Sequence, residues 1–374
     1  MNVIFACAGS GGHVNPAIAI AGIMLKHYEK LNILFIGTKN GIENDLVKKS
    51  GFNMQHIRTG KLIRSFTFKN LKAITHTYLG IKDAKKIMLE FKPDLVIGTG
   101  GYICGPVMIA AKKYKIPYIL HESNAFPGLA VKMLAKNASS VMVGFSEAKS
   151  RLKVKGNIVY TGTPAKFNLQ DMQKLDKQKC KISLGLGNIN KKIILVMCGS
   201  QGAKKINDTV LEMLKSEPNN KVYIILATGN NNYDIVLKKK QDIQKQVKYN
   251  LDDFIKLEKY IYDMDKMYKV ADLCITRAGA MSVTELEIAS KGAILIPLPS
   301  AAENHQYYNA KIMEDAGAGI ILEEKDLTAN SLKNIIDRLI EEDELEKMGE
   351  KANKLVKKNV EEKIYKCIKD TVKK

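Results

Sequence analysis

The 374-residue chain has no tryptophan, six cysteines, nine prolines and few acidic side chains in its first 160 residues. Each shortage excludes something. Cys7, Cys104, Cys180, Cys198, Cys274 and Cys367 are never closer than 18 positions and form no CxxC. They spell neither a zinc ribbon nor a disulfide framework, and a reducing compartment is the simpler expectation. Residues 1–25 contain no Asp, Glu, Lys or Arg, yet neither a signal peptide nor a membrane span is expected there. A positively charged start is missing, the apolar run stops at Ala8, and Gly9, Gly11, Gly12, His13, Asn15 and Pro16 interrupt the residues after it. The other long uncharged stretch, 95–111, is broken by Gly98, Gly100, Gly101, Gly105 and Pro106. A soluble or peripherally attached protein is expected. The lack of tryptophan and of any reader motif argues against a nucleic-acid partner.

The residues present are ordinary in amount and uneven in placement. Hydrophobic residues make up 45% and charged residues 26%, enough to build real cores, and the length suits two domains. The formal net charge is +20, and residues 1–160 hold 23 basic against 8 acidic side chains, a balance of +15 that leaves +5 for the rest. Such asymmetry suits a first domain facing a polyanion or an anionic membrane surface. A lysine-rich composition with no partner at all explains it equally.

Short apolar runs ending in glycine alternate with charged segments of helical period, the pattern of a parallel sheet covered on both faces. Strands are expected at 3–7, 33–36, 94–97, 118–120, 140–143 and 158–160, then at 193–197, 223–227, 254–257, 273–276 and 294–297. The fold class is therefore α/β, with two doubly wound parallel sheets in tandem. The expected domains are 1–163 and 164–345, the second entered through a polar linker at 166–190. Residues 346–374 are read as C-terminal helices able to pack back on the first domain.

The strand ends carry the chemistry. Ala8-Gly9-Ser10-Gly11-Gly12-His13 lies between the first strand and a helix, where glycines let amides approach an oxyanion at a helix N-terminus. It is not a GxGxxG, and the second strand ends in Gly37-Thr38-Lys39 with no acid, so a dinucleotide site is weak; a tight turn also needs no ligand. Gly98-Thr99-Gly100-Gly101-Tyr102 follows a later strand, and His121-Glu122-Ser123-Asn124 another, so two histidines and a carboxylate can converge at one crevice. In the second half, Cys198-Gly199-Ser200-Gln201-Gly202-Ala203 repeats the strand, glycine, helix order. The segment from Arg277 to Glu285 places a carboxylate just inside a helix, suited either to ribose hydroxyls or to the helix dipole. Glu303-Asn304-His305-Gln306 ends a polar loop. Asp263-Met264-Asp265 resembles a metal-holding DxD but reads better as a helix start; no metal and no cofactor are expected.

Taken in order, Ser10-Gly11-Gly12-His13, Gly98 to Tyr102, His121-Glu122 with Asn124, Gly199 to Ala203, Arg277 to Glu285 and Asn304-His305-Gln306 resemble the MurG family of peptidoglycan transferases. The resemblance runs from residue 1 to about 325. It implies a GT-B fold with an interdomain cleft, and inverting, metal-independent transfer of N-acetylglucosamine from its UDP donor to undecaprenyl-diphospho-muramoyl-pentapeptide, lipid I, giving lipid II at the cytoplasmic face of the cell membrane. It further implies that Ser200 contacts the diphosphate, Ile261 the uracil, Ala280, Met281 and Ser282 the phosphate, Glu285 the ribose and Gln306 the transferred sugar. Ser10, Gly11, Gly12 and Asn124 would close over that sugar, and Gly100, Gly101 and Tyr102 would face the acceptor. Ala8, Ser123 and Thr163-Pro164-Ala165-Lys166 depart from the family pattern; Lys166 keeps a positive charge where an arginine is usual but loses the bidentate fork. His13 is the expected base or orienter of the acceptor hydroxyl, with His121 and Glu122 as competitors. The basic segment 61–92, in which Lys69 and Lys72 alternate with Ile74 and Tyr78, suits a helix dipping into anionic headgroups, or one packed on the sheet. A transferase using diacylglycerol and a UDP-sugar epimerase are the other enzyme readings.

Overall fold

The structure, a computed structural model, describes residues 1–60, 68–152, 154, 156–199, 201–216 and 218–373, the side chains of 68–74 excepted. The chain divides into two compact units, Met1–Lys166 with Lys357–Lys374, and Phe167–Val356.

The first unit is built on seven strands: β1 (Asn2–Cys7), β2 (Asn32–Gly37), β3 (Asn53–His56), β4 (Leu95–Gly100), β5 (Tyr118–Glu122), β6 (Ser140–Val143) and β7 (Ile158–Tyr160). All pair in parallel, in the order β3-β2-β1-β4-β5-β6-β7. Side chains of β1 alternate as period two requires. Ile4 and Ala6 join a core with the helices Phe68–Phe91 and Cys104–Lys113, whereas Val3, Phe5 and Cys7 meet the helix Gly11–His27 on the other face. Phe5 stacks on Phe35 with ring centroids 5.1 Å apart. Each such fully buried side chain contributes about 1.5–3 kcal/mol.

The second unit has six strands: β8 (Lys192–Met197), β9 (Val222–Ala227), β10 (Ile255–Glu258), β11 (Leu273–Thr276), β12 (Ala293–Leu295) and β13 (Gly319–Ile321). They are again parallel, ordered β10-β9-β8-β11-β12-β13. In both units the first strand lies centrally and the order reverses beside it, which makes each a doubly wound, Rossmann-like sheet and the whole an α/β GT-B fold.

Several expectations change. The stretch 166–190 is not a bare linker: Leu169–Lys174 is a helix closed by a capping box between Asn168 and Asp171, and Lys177–Ser183 another, capped by Asp176. β3, an edge strand of sequence NMQH with mostly exposed side chains, escaped the apolar-run criterion by its polarity, and β13, Gly-Ile-Ile, by its length of three residues. The units part at Lys166/Phe167 and Val356/Lys357 instead of 163/164 and 345/346. The C-terminal helices also separate. Leu345–Leu355 buries Leu345 and Met348 in the second unit's core, while Val360–Val372 buries Ile364, Cys367 and Ile368 in the first. There Lys26 Nζ meets Glu361 Oε2 at 2.9 Å, and the His27 ring stacks on Tyr365 at 4.1 Å.

Candidate active site

In the first unit the strand order reverses between β1 and β4, the place at which doubly wound sheets bind ligands. Gly9, at φ +94°, turns the chain out of β1, and Ser10 sits at the N-cap of the helix Gly11–His27 in extended conformation (φ −154°). Its hydroxyl does not cap the helix, and the first turn holds no acid. The amides of this end therefore suit an anion. His13 belongs to that turn: its Nδ1 lies 3.0 Å from the Ala8 carbonyl oxygen and 3.3 Å from Ser10 Oγ. A carbonyl only accepts, so Nδ1 carries the proton and Nε2 is the basic nitrogen of the neutral ring.

The β4 turn is fitted against His13. The Thr99 hydroxyl donates to the His13 carbonyl at 2.6 Å. A Cβ on Gly100, at φ +119°, would stand 2.5 Å from His13 Cδ2; one on Gly101, at φ +86°, would overlap the Ala8 carbonyl. Tyr102 lies beside Gly9. The two glycine motifs are thus one construction, in which the second lacks side chains so that the first can hold its imidazole.

His121 and Glu122, the competitors of His13 for the base, are both enclosed by the fold. His121 is fully buried on β5, with Ser123 Oγ 3.3 Å from Nδ1 and no hydrogen bond on Nε2. Burial pushes its pKa down to about 4, so it stays neutral, and it reaches no solvent from which to take a substrate proton. Glu122 accepts from the Asn124 amide (2.9 Å), the Asn124 side chain (3.0 Å) and the Gly128 amide (2.8 Å). Burial raises its pKa, against those hydrogen bonds, and its carboxylate shapes the 123–128 loop that presents Asn124. Arg151 donates to the Ala125 carbonyl at 2.6 Å, and Lys132 lies 4.0 Å over the Phe126 ring.

Lys166 is exposed at the end of the first stretch of this unit. The side chains of Lys69, Lys72 and Ile74 lie outside the described residues. Tyr78 on the same helix is 59% exposed, with Lys82 Nζ 4.9 Å from its ring centroid.

In the second unit the reversal falls between β8 and β11. Ser200 lies outside the described residues. Around it Gly199 and Gly202 have φ of +72° and +68°, and Gly229, after β9, +86°. A Cβ on Gly202 would overlap the Thr228 carbonyl, and one on Gly229 the Gln201–Gly202 peptide, so the two turns pack backbone to backbone. Asn232 Nδ2 donates to the Gln201 carbonyl (2.8 Å) and Asn207 Nδ2 to that of Thr228 (2.9 Å). These supports were missed because they lie 21 to 31 positions from their partners.

After β11, Gly279 occupies the N-cap of the helix Ala280–Ala289 with no side-chain cap, so Ala280, Met281 and Ser282 supply its first amides. Glu285 is not a first-turn acid, which removes the dipole reading. It stands in the second turn, half-buried, and accepts from the Tyr268 hydroxyl at 3.1 Å. Arg277 pairs with Glu324 and donates to the Ile296 and Pro297 carbonyls (3.2 and 3.3 Å), joining the ends of β11 and β12. Gln306 Oε1 accepts from the Leu298 amide at 2.9 Å. Before it Glu303 and Asn304 both lie in the left-handed region, φ +55° and +52°. Ile261 is buried, between the exposed Tyr260 and Tyr262. Asp263 is at an N-cap position, but its carboxylate pairs with Lys266 at 3.2 Å. Among the described residues no group of three or more His, Cys, Asp or Glu has metal-holding geometry.

Comparison with known proteins agrees with this layout. Residues 3–143 match the glycosyltransferase family 28 N-terminal domain and 193–364 its C-terminal domain. Over 370 residues, 99% of each chain, the sequence is 41% identical to the UDP-N-acetylglucosamine–N-acetylmuramyl-(pentapeptide) pyrophosphoryl-undecaprenol N-acetylglucosamine transferase of Thermoanaerobacter sp. (strain X514). The crystal structure of Acinetobacter baumannii MurG superimposes with a TM-score of 0.77 at 27% identity, covering 99% of both chains. A UDP-GlcNAc 2-epimerase from Neisseria meningitidis, bound to UDP-GlcNAc, shares the fold at TM-score 0.66 and 16% identity over 99% of this chain and all of that one. The chain belongs to glycosyltransferase family 28 and, within it, to the MurG family.

Proposed function

We propose that this chain transfers N-acetylglucosamine from UDP-N-acetylglucosamine to the muramoyl 4-hydroxyl of undecaprenyl-diphospho-muramoyl-pentapeptide, with inversion and without a metal ion. The observation that carries the reading is the 41% identity, over 99% of both chains, with a transferase of that name. In it, His13 Nε2 accepts the proton of the attacking hydroxyl as the new glycosidic bond forms, and UDP departs with the electrons of the broken bond. The amides of Ala280, Met281 and Ser282 and the turn at Ser200 meet the charge developing on the diphosphate, a task suited to preorganised N–H groups. Glu285 holds the ribose, Ile261 the uracil, and Gln306 with Asn124, Ser10, Gly11 and Gly12 the sugar. Lys166 supplies a further positive charge, and Gly100, Gly101 and Tyr102 face the acceptor.

The acceptor's lipid calls for peripheral attachment to the cytoplasmic membrane face. Support comes from the charge of +15 over residues 1–160 and from exposed Tyr78, Ile109, Leu129 and Met133 on helices of the first unit that also carry Lys82, Lys112 and Lys132. No described helix is long and apolar enough to cross a membrane.

The test is label transfer from UDP-N-acetylglucosamine to lipid I in the presence of EDTA. Transfer to diacylglycerol instead, or turnover of the donor alone, would replace this reading by one of its rivals. For the donor contacts, Glu285→Ala is expected to raise the UDP dissociation constant roughly 10- to 100-fold, the loss of one or two hydrogen bonds to a charged group. It also leaves the buried Tyr268 hydroxyl without this acceptor, so a lower melting temperature should accompany it. Calorimetric titration with UDP checks the first effect and a thermal scan the second.

A further inference from the structure

Glu43 is a fully buried carboxylate outside the groups that meet donor or acceptor, and its contacts lead to the base. Oε1 accepts from the Thr38 amide (2.9 Å) and the Thr38 hydroxyl (2.6 Å), and Oε2 from the Gly9 amide (3.3 Å). The Gly9 N–H and the Ala8 C=O are the two ends of one peptide group, and the Ala8 oxygen is the atom that His13 Nδ1 faces at 3.0 Å. The sequence of atoms is carboxylate, amide N–H, amide C=O, imidazole N–H.

We propose that Glu43 is a positioning residue for the transfer reaction, acting on His13 through the Ala8–Gly9 peptide, which it orients and polarises. A carboxylate that accepts from one end of an amide increases the negative character of the other, because linked hydrogen bonds strengthen one another. The Ala8 oxygen then holds the Nδ1 proton more firmly, which selects the tautomer and raises the basicity of Nε2. The logic is that of a carboxylate orienting a catalytic imidazole directly, with a peptide interposed.

The socket is built for this purpose. Side chains on Gly37 or Gly41 would overlap Glu43 or stand within 3 Å of it. Asn44 closes the loop by donating to the Thr38 and Gly41 carbonyls (2.9 and 2.8 Å), and its Oδ1 lies 2.6 Å from His56 Nε2. The end of β2 is where a dinucleotide fold offers its ribose-binding acid. Here the acid arrives from the following helix and is turned onto the protein's own amide.

The charge persists in the folded chain. Burial pushes the Glu43 carboxyl up, but the hydrogen bonds from Thr38, its own amide and Gly9 outweigh it and hold the group below the usual carboxylate range. Among the described residues, the titratable groups near the pair include Cys7 on β1, Cys104 at the head of the helix Cys104–Lys113, Tyr102 on the β4 turn and His56 on β3 behind Asn44; Lys39 and Asp45 flank Glu43 in sequence and are exposed. Burial raises both thiols, so they remain neutral at working pH. Glu122 acts on Cys104 and is itself enclosed by its loop.

The proposal rests on His13 being the base. Glu43→Gln keeps an acceptor for Gly9 and removes the charge. A protonated His13 then loses a stabilising partner, its pKa falls, and the acid limb of kcat/KM moves to lower pH by about half to one unit. The weaker base lowers the plateau about two- to tenfold, while UDP affinity stays within about twofold. In a histidine NMR titration of the substrate-free protein, the His13 resonance moves by the same shift. In a His13→Ala background, Glu43→Gln has no further effect on residual transfer. An unchanged His13 titration in a folded Glu43→Gln protein overturns the proposal, as does equal loss of transfer with and without His13. If the titration moves but His13→Ala retains full transfer, the reading of His13 as base is what fails, and the electrostatic coupling stands.

Discussion

His13→Ala should reduce transfer to lipid I by roughly 10²–10⁴-fold, the contribution of a positioned general base, with the UDP dissociation constant within about twofold of wild type. The separation comes from where the residue sits. His13 is on the first turn of the helix Gly11–His27, held by the Ala8 carbonyl through Nδ1 and by Thr99 through its own carbonyl. The residues proposed to hold UDP belong to the second unit. Truncating the imidazole leaves the backbone contact from Thr99 in place, so the turn keeps its course. Rapid-quench measurement of single turnovers and calorimetry with UDP separate the two quantities. Wild-type turnover in the variant would return the search for a base to other groups. His121 would not be among them, since its buried ring stays neutral and reaches no solvent.

Gly202→Ala should weaken UDP binding roughly a hundredfold and destabilise the second unit, an effect on the opposite end of the reaction. Gly202 lies in the left-handed region, where an L side chain costs about 1–2 kcal/mol. Its Cβ would also overlap the Thr228 carbonyl, which is backbone and cannot rotate aside. The turn after β8 or the turn after β9 must therefore shift, and a displacement near 1 Å at a phosphate cradle costs about 10²-fold. Asn232 and Asn207, which bond the Gln201 and Thr228 carbonyls, would be strained in the same movement. Calorimetric titration with UDP and a thermal melt measure both losses. By contrast Gly199→Ala meets no atom within 4 Å and carries only the conformational cost, so its affinity loss should be smaller. Equal losses in the two variants would show that the packing against Thr228 is unimportant.

Much of the fold was legible because it is written locally. An apolar run ending in glycine and followed by a helical period marks a β-to-α unit within some twenty residues. That rule found β1, β2, β4 and β8 close to their observed bounds. It missed β3, an edge strand of mostly polar, exposed side chains, and β13, whose three residues Gly-Ile-Ile make too short a run. The linker helices escaped because their stability begins with caps, Asn168 and Asp176, instead of a long apolar face.

By itself the sequence determined the α/β class, the two-unit plan and the family, since glycine turns, strand ends and motif order are all properties of neighbouring residues. Only the tertiary structure set the two histidines in different surroundings. Both stand at strand ends in the sequence, but His13 rises on a helix start while His121 lies on the strand itself, buried. It also decided that Glu43 serves Gly9 across 34 positions, that Gly101 makes room for the Ala8 carbonyl, and that the last helix belongs with the first unit. The reason is physical. Local pattern sets the element, whereas the partner of a side chain depends on which strands become neighbours, and in this sheet β1 lies beside β4, about ninety residues away.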